Sequence, residues 1–136
     1  MSEHTETLRI QTIVQAPLER VWNAWITPEH VQNWNAASDD WHTPQATNDL
    51  RVGGEFHYWM EAKDKSIGFD YTGTYTEVVP HARIASTLGD GRKVEVSFEE
   101  TADGVIVHET FETEQMNPVD MQRSGWQAIL DRFKTY

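Results

Sequence analysis

The chain contains no cysteine, which excludes disulfide bonds, thiolate nucleophiles and cysteine-ligated zinc and fits a reducing compartment. Targeting and membrane features are missing as well. The first residues, MSEHTETLRIQTIVQAP, contain neither the basic segment nor the long apolar segment of a secretory signal. No apolar run approaches the length of a membrane span. We therefore expect a soluble, cytoplasmic protein.

Positively charged residues are scarce: 11 lysines and arginines stand against 22 aspartates and glutamates, for a net charge of −11. Binding to nucleic acid needs cations that neutralise phosphates, and docking on an anionic membrane surface needs charge of the same sign. We expect neither a nucleic-acid nor a membrane partner. The 136 residues, 38% of them hydrophobic, suffice for one domain with a buried core, and we assign residues 1–136 to a single domain.

Motifs for metals, cofactors and nucleophilic catalysis are also missing. None of the six histidines falls in a ligand spacing such as His-x-x-x-His, and no serine stands in a nucleophile elbow. Gly53-Gly54 is followed by neither a lysine nor the start of a helix, so this glycine pair is not a phosphate-binding loop. The sequence predicts no metal and no cofactor.

Hydrophobic alternation predicts most of the secondary structure. The segment LRIQTIV, residues 8–14, predicts a first strand. Pro17 at a first helical position and Thr27 as an N-cap then predict two short helices. Alternating segments separated by polar or glycine-containing turns follow. They predict six further strands, at about residues 42–48, 53–63, 66–79, 82–88, 92–100 and 103–114.

The predicted strands have one apolar face. In VEVSF, residues 94–98, and VIVHETF, residues 105–111, most residues at alternate positions are apolar, which is typical of an antiparallel sheet covered on one side. Gly53-Gly54 and Gly73 lie inside predicted strands, where glycine permits sharp bends. We expect the sheet to curl and a long helix to fill the curl.

The C-terminal segment predicts that helix. Asn117 as N-cap, Pro118 at the first helical position and Asp120 in the first turn are strong start signals. The predicted apolar stripe consists of Met121, Gly125, Ala128, Ile129, Phe133 and Tyr136. The order of elements predicts an α+β fold with a curved, seven-stranded antiparallel sheet around a long C-terminal helix.

Four segments together resemble one family: APLERVWNAWITPEHVQNW, DLRVGGEF, GTYTEVVPHARI and GWQAILDRF. They are similar to the START-like helix-grip superfamily (SRPBCC), which includes polyketide cyclases and the birch-pollen allergen. The most similar branch is named after the activator of the heat-shock-protein ATPase. The resemblance covers almost the whole chain and implies a helix-grip fold, with two small helices at one end and a hydrophobic cavity between sheet and helix. Members of the superfamily bind or transform apolar, often aromatic or lipid-like molecules.

Large residues on the apolar face have two interpretations: a solid core, or the wall of a ligand cavity. Tyrosine hydroxyls on this face need partners, and Gly73 and Gly125 remove bulk that a solid core would need, so we favour a cavity. The ligand-binding residues predicted on the sheet side are Trp34, Phe56, Tyr58, Phe69, Tyr71 and Phe98. Those predicted on the helix are Met121, Gly125 and Ile129.

Glu109 is the candidate for chemistry, because alternation places its carboxyl group on the apolar face. A buried carboxylate is costly without a partner, and with a raised pKa it could act as a general base beside Tyr71. The alternatives are an ion pair with Arg123 or Arg132 of the helix, or a position in water at the mouth of the cavity.

Three hypotheses for the function follow. The first is a protein that binds a small hydrophobic, aromatic or lipid-like molecule, and the second is a cyclase-like acid–base enzyme that uses Glu109 and a cavity tyrosine. The third is a co-chaperone-like interaction module, with Ile106 and Trp59 as an apolar patch on the outer face. The sequence matches one domain of the co-chaperone that names the branch, without its additional chaperone-binding domain, so a chaperone partner is not carried over from the resemblance.

Overall fold

Seven strands and three helices make up the part of the chain that the structure, a computed structural model, describes: residues 6–114 and 118–136. In chain order the elements are β1 (Thr7–Val14), α1 (Leu18–Ile26), α2 (Pro28–Trp34), β2 (Trp41–Asn48), β3 (Glu55–Ala62), β4 (Gly68–Val79), β5 (Arg83–Leu88), β6 (Lys93–Thr101), β7 (Gly104–Glu112) and α3 (Val119–Thr135). This confirms the predicted order of elements, with boundaries that differ by one or two residues.

All strands belong to one antiparallel sheet with the order β1-β7-β6-β5-β4-β3-β2. Strands β2 to β7 form a consecutive meander, and β1 returns to pair with β7 from Thr7 opposite Glu112 to Val14 opposite Val105. The sheet curls into a half-barrel with α3 on its concave side, which confirms the predicted α+β helix-grip fold. The concave face holds the core and the candidate site.

Period-two alternation places the large side chains on the concave face. In β7 the burial pattern alternates along the whole strand, so that every second residue is buried, and β6 shows the same pattern over its first half. The buried residues of these two strands are Val94, Val96, Phe98, Val105, Val107, Glu109 and Phe111. Their apolar surface stabilises the fold by about 25 cal/mol for each Å² removed from water. Glu109 is the one charged residue of this series.

Two helices begin one residue later than predicted. Pro17 and Pro118 have extended ψ angles of 145° and 144° and occupy the N-cap positions of α1 and α3. Each proline carbonyl accepts a first helical hydrogen bond, from the backbone of Val21 and Gln122. The proline ring suits a helix start because it has no N–H that would need a partner. The predicted Asn117 N-cap lies outside the described residues.

Of the two glycine positions predicted to bend strands, Gly73 lies inside β4, whereas Gly53-Gly54 lies outside β3. Gly53-Gly54 precedes β3 and forms a tight turn, where a Cβ atom on Gly54 would lie 2.1 Å from the carbonyl oxygen of Asp49. Gly73 in β4 lies against the ring of Phe56. A Cβ atom added to Gly73 would lie 2.5 Å from this ring. The space above Gly73 is therefore filled by Phe56, and it is not a void that enlarges a cavity.

The buried face of α3 is rotated relative to the predicted stripe. Its buried residues are Gln122, Leu130 and Phe133, whereas the predicted Met121 is 60% exposed and Tyr136 is 53% exposed. Neighbouring residues of a helix differ by about 100° in direction. Met121 therefore faces solvent whereas its neighbour Gln122 is buried, and of the predicted stripe Phe133 lies on the buried face.

Gly125 is expected to be a site for stabilisation. It lies inside α3, and a Cβ atom there would meet nothing within 4 Å. Because glycine costs about 1 kcal/mol relative to alanine in a helix interior, we expect Gly125→Ala to raise the free energy of unfolding by about 0.5–1 kcal/mol. Urea denaturation with an unchanged m-value checks this. A loss of stability would show that the helix needs a glycine at this position.

Candidate functional site: a cavity between the sheet and the C-terminal helix

A cavity of about 520 Å³ lies between the concave face of the sheet and α3. Its volume is within the usual range of small-molecule sites. Strands β3 to β7 and the three helices all contribute to its wall. The lining residues are Trp25, Trp34, Asn35, Phe56, Tyr58, Met60, Phe69, Tyr71, Tyr75, Ile84, Ser86, Arg92, Val94, Val96, Glu109, Glu114, Gln122, Trp126 and Ile129.

Four rings of β3 and β4 form one side of the cavity, the aromatic wall: Phe56, Tyr58, Tyr71 and Tyr75. The Phe56 ring centroid lies 5.1 Å from Tyr58, 5.4 Å from Tyr71 and 5.5 Å from Tyr75. The Tyr75 hydroxyl donates a hydrogen bond of 2.6 Å to Oδ1 of Asn48. Burial raises the pKa of Tyr58 to about 12, so its phenol stays neutral in the physiological range. The wall combines π-faces with neutral hydroxyls.

Trp126 of α3 faces the aromatic wall. Its ring stacks on Phe111 at a centroid distance of 4.1 Å and an interplanar angle of 6°, and its edge meets Tyr71 at 6.2 Å. The sequence reasoning missed Trp126. Its spacing from Gln122, Ile129 and Phe133 is the signal that could have found it, because residues three or four apart share a helix face.

The end of the cavity next to α1 and α2 is closed by aromatic packing. Trp25, Trp34 and Phe133 lie in mutual contact at centroid distances of 4.9 to 5.0 Å. The indole nitrogen of Trp34 donates a 2.9 Å hydrogen bond to the Ala24 carbonyl.

Phe69 of β4 marks the mouth of the cavity. It lines the cavity and is 46% exposed, so a ligand can enter at this position.

Glu109 places a carboxyl group in the cavity wall. Its residue is 7% exposed, and its cross-strand neighbours Ile10 and Val96 are apolar. Within residues 6–114 and 118–136, no group forms a hydrogen bond or ion pair with this carboxyl. Burial therefore raises its pKa to about 8. The pKa of Tyr71 is also raised, mainly by burial and in addition by the nearby charge of Glu109.

The ion pair predicted as an alternative for Glu109 does not form. Arg132 bonds Asp39 through Nη1 at 2.7 Å, and Arg123 donates to the backbone carbonyl of Arg9 at 3.4 Å. Both arginines therefore direct their guanidinium groups elsewhere. Arg92 lines the cavity, but its Nε donates to Asp90 at 2.8 Å. The charge of Arg92 is thus compensated within its own turn.

The structure separates the predicted ligand-binding residues into two groups. Phe98, Met121 and Gly125 are absent from the cavity wall, because Phe98 packs in the core against Trp22 at 5.4 Å, Met121 points to solvent, and Gly125 lies beside the inward face of α3. Those that line the cavity are Trp34, Phe56, Tyr58, Phe69, Tyr71 and Ile129. Their binding of a ligand stays a prediction.

Other kinds of site receive no support from the described ranges. No group of three or more His, Cys, Asp or Glu residues there could hold a metal ion. His57 and His108 lie opposite carboxylates, His57 with Asp70 and His108 with Glu99 at 3.0 Å. None of the helices in these ranges is both long and apolar enough to cross a membrane.

The curled sheet, the long helix and the cavity between them define a START-like helix-grip protein of the SRPBCC superfamily. The family model described as activator of Hsp90 ATPase homolog 1-like protein matches residues 15–136. The chain therefore belongs to this family. None of the curated proteins compared with the chain matches it.

Solved structures of bacterial proteins agree with this assignment. The chain is 44% identical to an AHSA1-like protein from Aeromonas hydrophila, with a TM-score of 0.91, over 96% of this chain and 91% of that one. It is 45% identical to a protein from Cytophaga hutchinsonii, with a TM-score of 0.80, over 96% and 89% of the two chains. A protein from Chromobacterium violaceum shares the fold at 23% identity and a TM-score of 0.85, over 96% of each chain.

Proposed function

We propose that this protein binds a small, mainly apolar, aromatic or lipid-like molecule in the cavity between the sheet and α3. The observation that carries the proposal is the cavity volume of about 520 Å³, which is lined by aromatic and aliphatic side chains and a few polar groups. Such a combination is typical of small-molecule sites, where apolar area supplies affinity and isolated polar groups orient the ligand. The rings of the aromatic wall are held by mutual contacts, so the site is preformed and binding costs little ordering.

Binding can be tested with a panel of flat aromatic compounds: naphthalene, naphthol, quinoline and indole. Chemical-shift changes of isotope-labelled protein should map to the cavity residues, and tryptophan fluorescence should change on titration, because Trp25, Trp34 and Trp126 line the cavity. Ser86 of β5 is buried in the cavity wall, so Ser86→Phe should fill part of the volume. We expect it to weaken binding by more than about tenfold, equivalent to more than about 1.4 kcal/mol.

Thr87→Phe is the matched control, because it introduces the same side chain on the next residue of β5, which alternation directs to the convex face. This variant should bind the panel as the wild type does. Equal effects of the two variants, or shift changes confined to the outside of the protein, would contradict a ligand site in the cavity.

Acid–base catalysis is a second candidate function, and Glu109 favours it. A carboxyl group with a pKa of about 8 can exchange a proton with a bound molecule near neutral pH, and the neighbouring Tyr71 supplies a neutral hydroxyl. A compound from the panel that is converted by the wild type, and not by Glu109→Gln, would establish catalysis. The convex face offers no comparable support for an interaction module, since Ile106 and Trp59 are not among the exposed large hydrophobic residues of the described ranges.

A further inference from the structure

Glu109 is a buried acid for which the described part of the protein provides no partner. Its residue is 93% buried by area, since 7% is exposed, and no hydrogen bond or ion pair reaches its carboxyl from those residues. A carboxylate without a partner in an apolar setting is costly. The position is nevertheless directed at an open volume of about 520 Å³. A group that belongs to the ligand can supply the missing partner.

The cation that would pair with Glu109 has to come from outside the described residues. Among these, Arg92 is the cationic side chain in the cavity wall, and both its Nε and its backbone N–H bond Asp90, at 2.8 and 3.2 Å. Glu114 adds a second carboxylate to the lining. The described lining of the cavity therefore contains one arginine, which already has a carboxylate partner, and two carboxyl groups.

The aromatic wall provides the second half of a cation site. Phe56 lies 5.1 to 5.5 Å from Tyr58, Tyr71 and Tyr75, and Trp126 meets Tyr71 at 6.2 Å from the helix side. The faces of aromatic rings attract cations, and rings that enclose a quaternary ammonium are a known mode of recognition. The energy of this attraction increases when the cation is removed from water, as it would be here.

We propose that the ligand of the cavity is an organic cation, an aromatic or aliphatic molecule with a substituted ammonium group. The ammonium contacts the aromatic wall and pairs with the Glu109 carboxylate, while the apolar part fills the remaining volume towards Trp25 and Trp34. This inference rests on the proposed function and names the class of ligand. An anionic ligand is disfavoured because Arg92 already has a carboxylate partner, and because Glu109 would repel the anion once it ionises, at a pH near or above its pKa of about 8.

Three probes of similar size test the ligand class: benzyltrimethylammonium, its uncharged carbon analogue neopentylbenzene, and the anion phenylacetate. Titrations followed by chemical shifts at pH 8 should give at least about tenfold tighter binding of the cation than of neopentylbenzene. Glu109→Gln should remove most of this preference and leave the affinity for neopentylbenzene nearly unchanged. Glu100→Gln, an exposed substitution on β6, is the control and should preserve the preference.

The affinity for the cationic probe should depend on pH. Burial keeps Glu109 protonated at neutral pH, since its pKa is about 8, and the cation requires the ionised form. Affinity should therefore rise by up to about tenfold per pH unit between pH 6 and pH 8. Benzyltrimethylammonium carries a permanent charge, so the protein alone accounts for the change. In Glu109→Gln the dependence should disappear.

The groups around Glu109 do not account for the pH dependence of cation binding, so we assign this dependence to Glu109. Ile10 of β1 and Val96 of β6 lie directly opposite in the sheet and do not titrate. Tyr71 of β4 has a pKa raised by burial and by Glu109 itself. From α3 the lining residues Gln122, Trp126 and Ile129 are uncharged. Glu114→Gln, in addition, should leave the pH dependence in place.

The outcomes distinguish the ligand class from the proposed function. Equal binding of the cation and neopentylbenzene, or a preference for the cation that survives Glu109→Gln, overturns the organic cation and leaves a hydrophobic cavity site. Tighter binding of phenylacetate overturns it in favour of an anion. If no probe and no member of the aromatic panel binds, both proposals fail. Should Glu109→Gln not fold, Glu109→Met is the replacement, because it is uncharged and of similar length.

Discussion

Glu109→Gln is expected to make the protein more stable than the wild type at alkaline pH. In the folded protein burial raises the pKa of Glu109 to about 8 from the ordinary 4.5, so the folded state holds a proton that the unfolded chain releases. The stability linked to this proton is fully present below pH 4.5 and is lost as the pH rises through 8. Glutamine is neutral at every pH and removes the loss.

The expected size of this effect is large. Each tenfold change in proton affinity corresponds to about 1.4 kcal/mol. We therefore expect the difference in unfolding free energy, variant minus wild type, to grow by about 3 kcal/mol between pH 5.5 and pH 9. Urea denaturation at a series of pH values measures it. Glu100→Gln on the exposed part of β6 should show a flat difference. A flat curve for Glu109→Gln as well would mean that the carboxyl ionises normally.

Phe111→Ala is expected to cause a large loss of stability, because Phe111 packs behind the cavity-lining residue Trp126. Phe111 of β7 is fully buried, with 0% exposed, and it stacks on Trp126 at 4.1 Å. Removing a buried aromatic ring typically costs about 3–5 kcal/mol, because the apolar surface is lost and a void remains. The substitution also removes the ring that fixes Trp126, so near-ultraviolet circular dichroism of the tryptophans should change.

Phe69→Ala provides the comparison for this prediction. Phe69 is 46% exposed, so truncation of the same side chain should cost less than about 1 kcal/mol. Because Phe69 lies at the mouth of the cavity, its truncation is expected to alter ligand association more than folding. Similar losses for the two variants would indicate that the contact between α3 and β7 contributes little to stability.

Several features of the fold could be predicted from local sequence because local geometry determines them. Side chains of a strand alternate between two faces, so the pattern Val105, Val107, Glu109 and Phe111 identified the inner face of β7 without further information. Proline at Pro17 and Pro118 marked two helix starts because proline has no N–H to bond. The segments resembling the START-like superfamily then made the arrangement of these elements predictable.

The candidate site was only partly predictable, and α3 shows why. Met121 and Trp126 are both apolar, and the sequence alone does not say which of them faces the sheet. That choice depends on how α3 docks against β7, where Trp126 finds the flat face of Phe111. A rotation of about 100° separates successive residues. An error of one position was therefore enough to misplace Met121.

The sequence by itself determined the strand faces, the helix starts to within one residue and the inward direction of Glu109, because each depends on residues that are neighbours along the chain. The negative charge follows from the composition alone. Tertiary structure alone decided whether the inward aromatic residues fill a core or line a cavity. Phe98 packs against Trp22 and belongs to the core, whereas Tyr71 borders open volume. Tertiary structure also left Glu109 without an arginine, because the directions of distant side chains depend on the packing of α3 against the sheet.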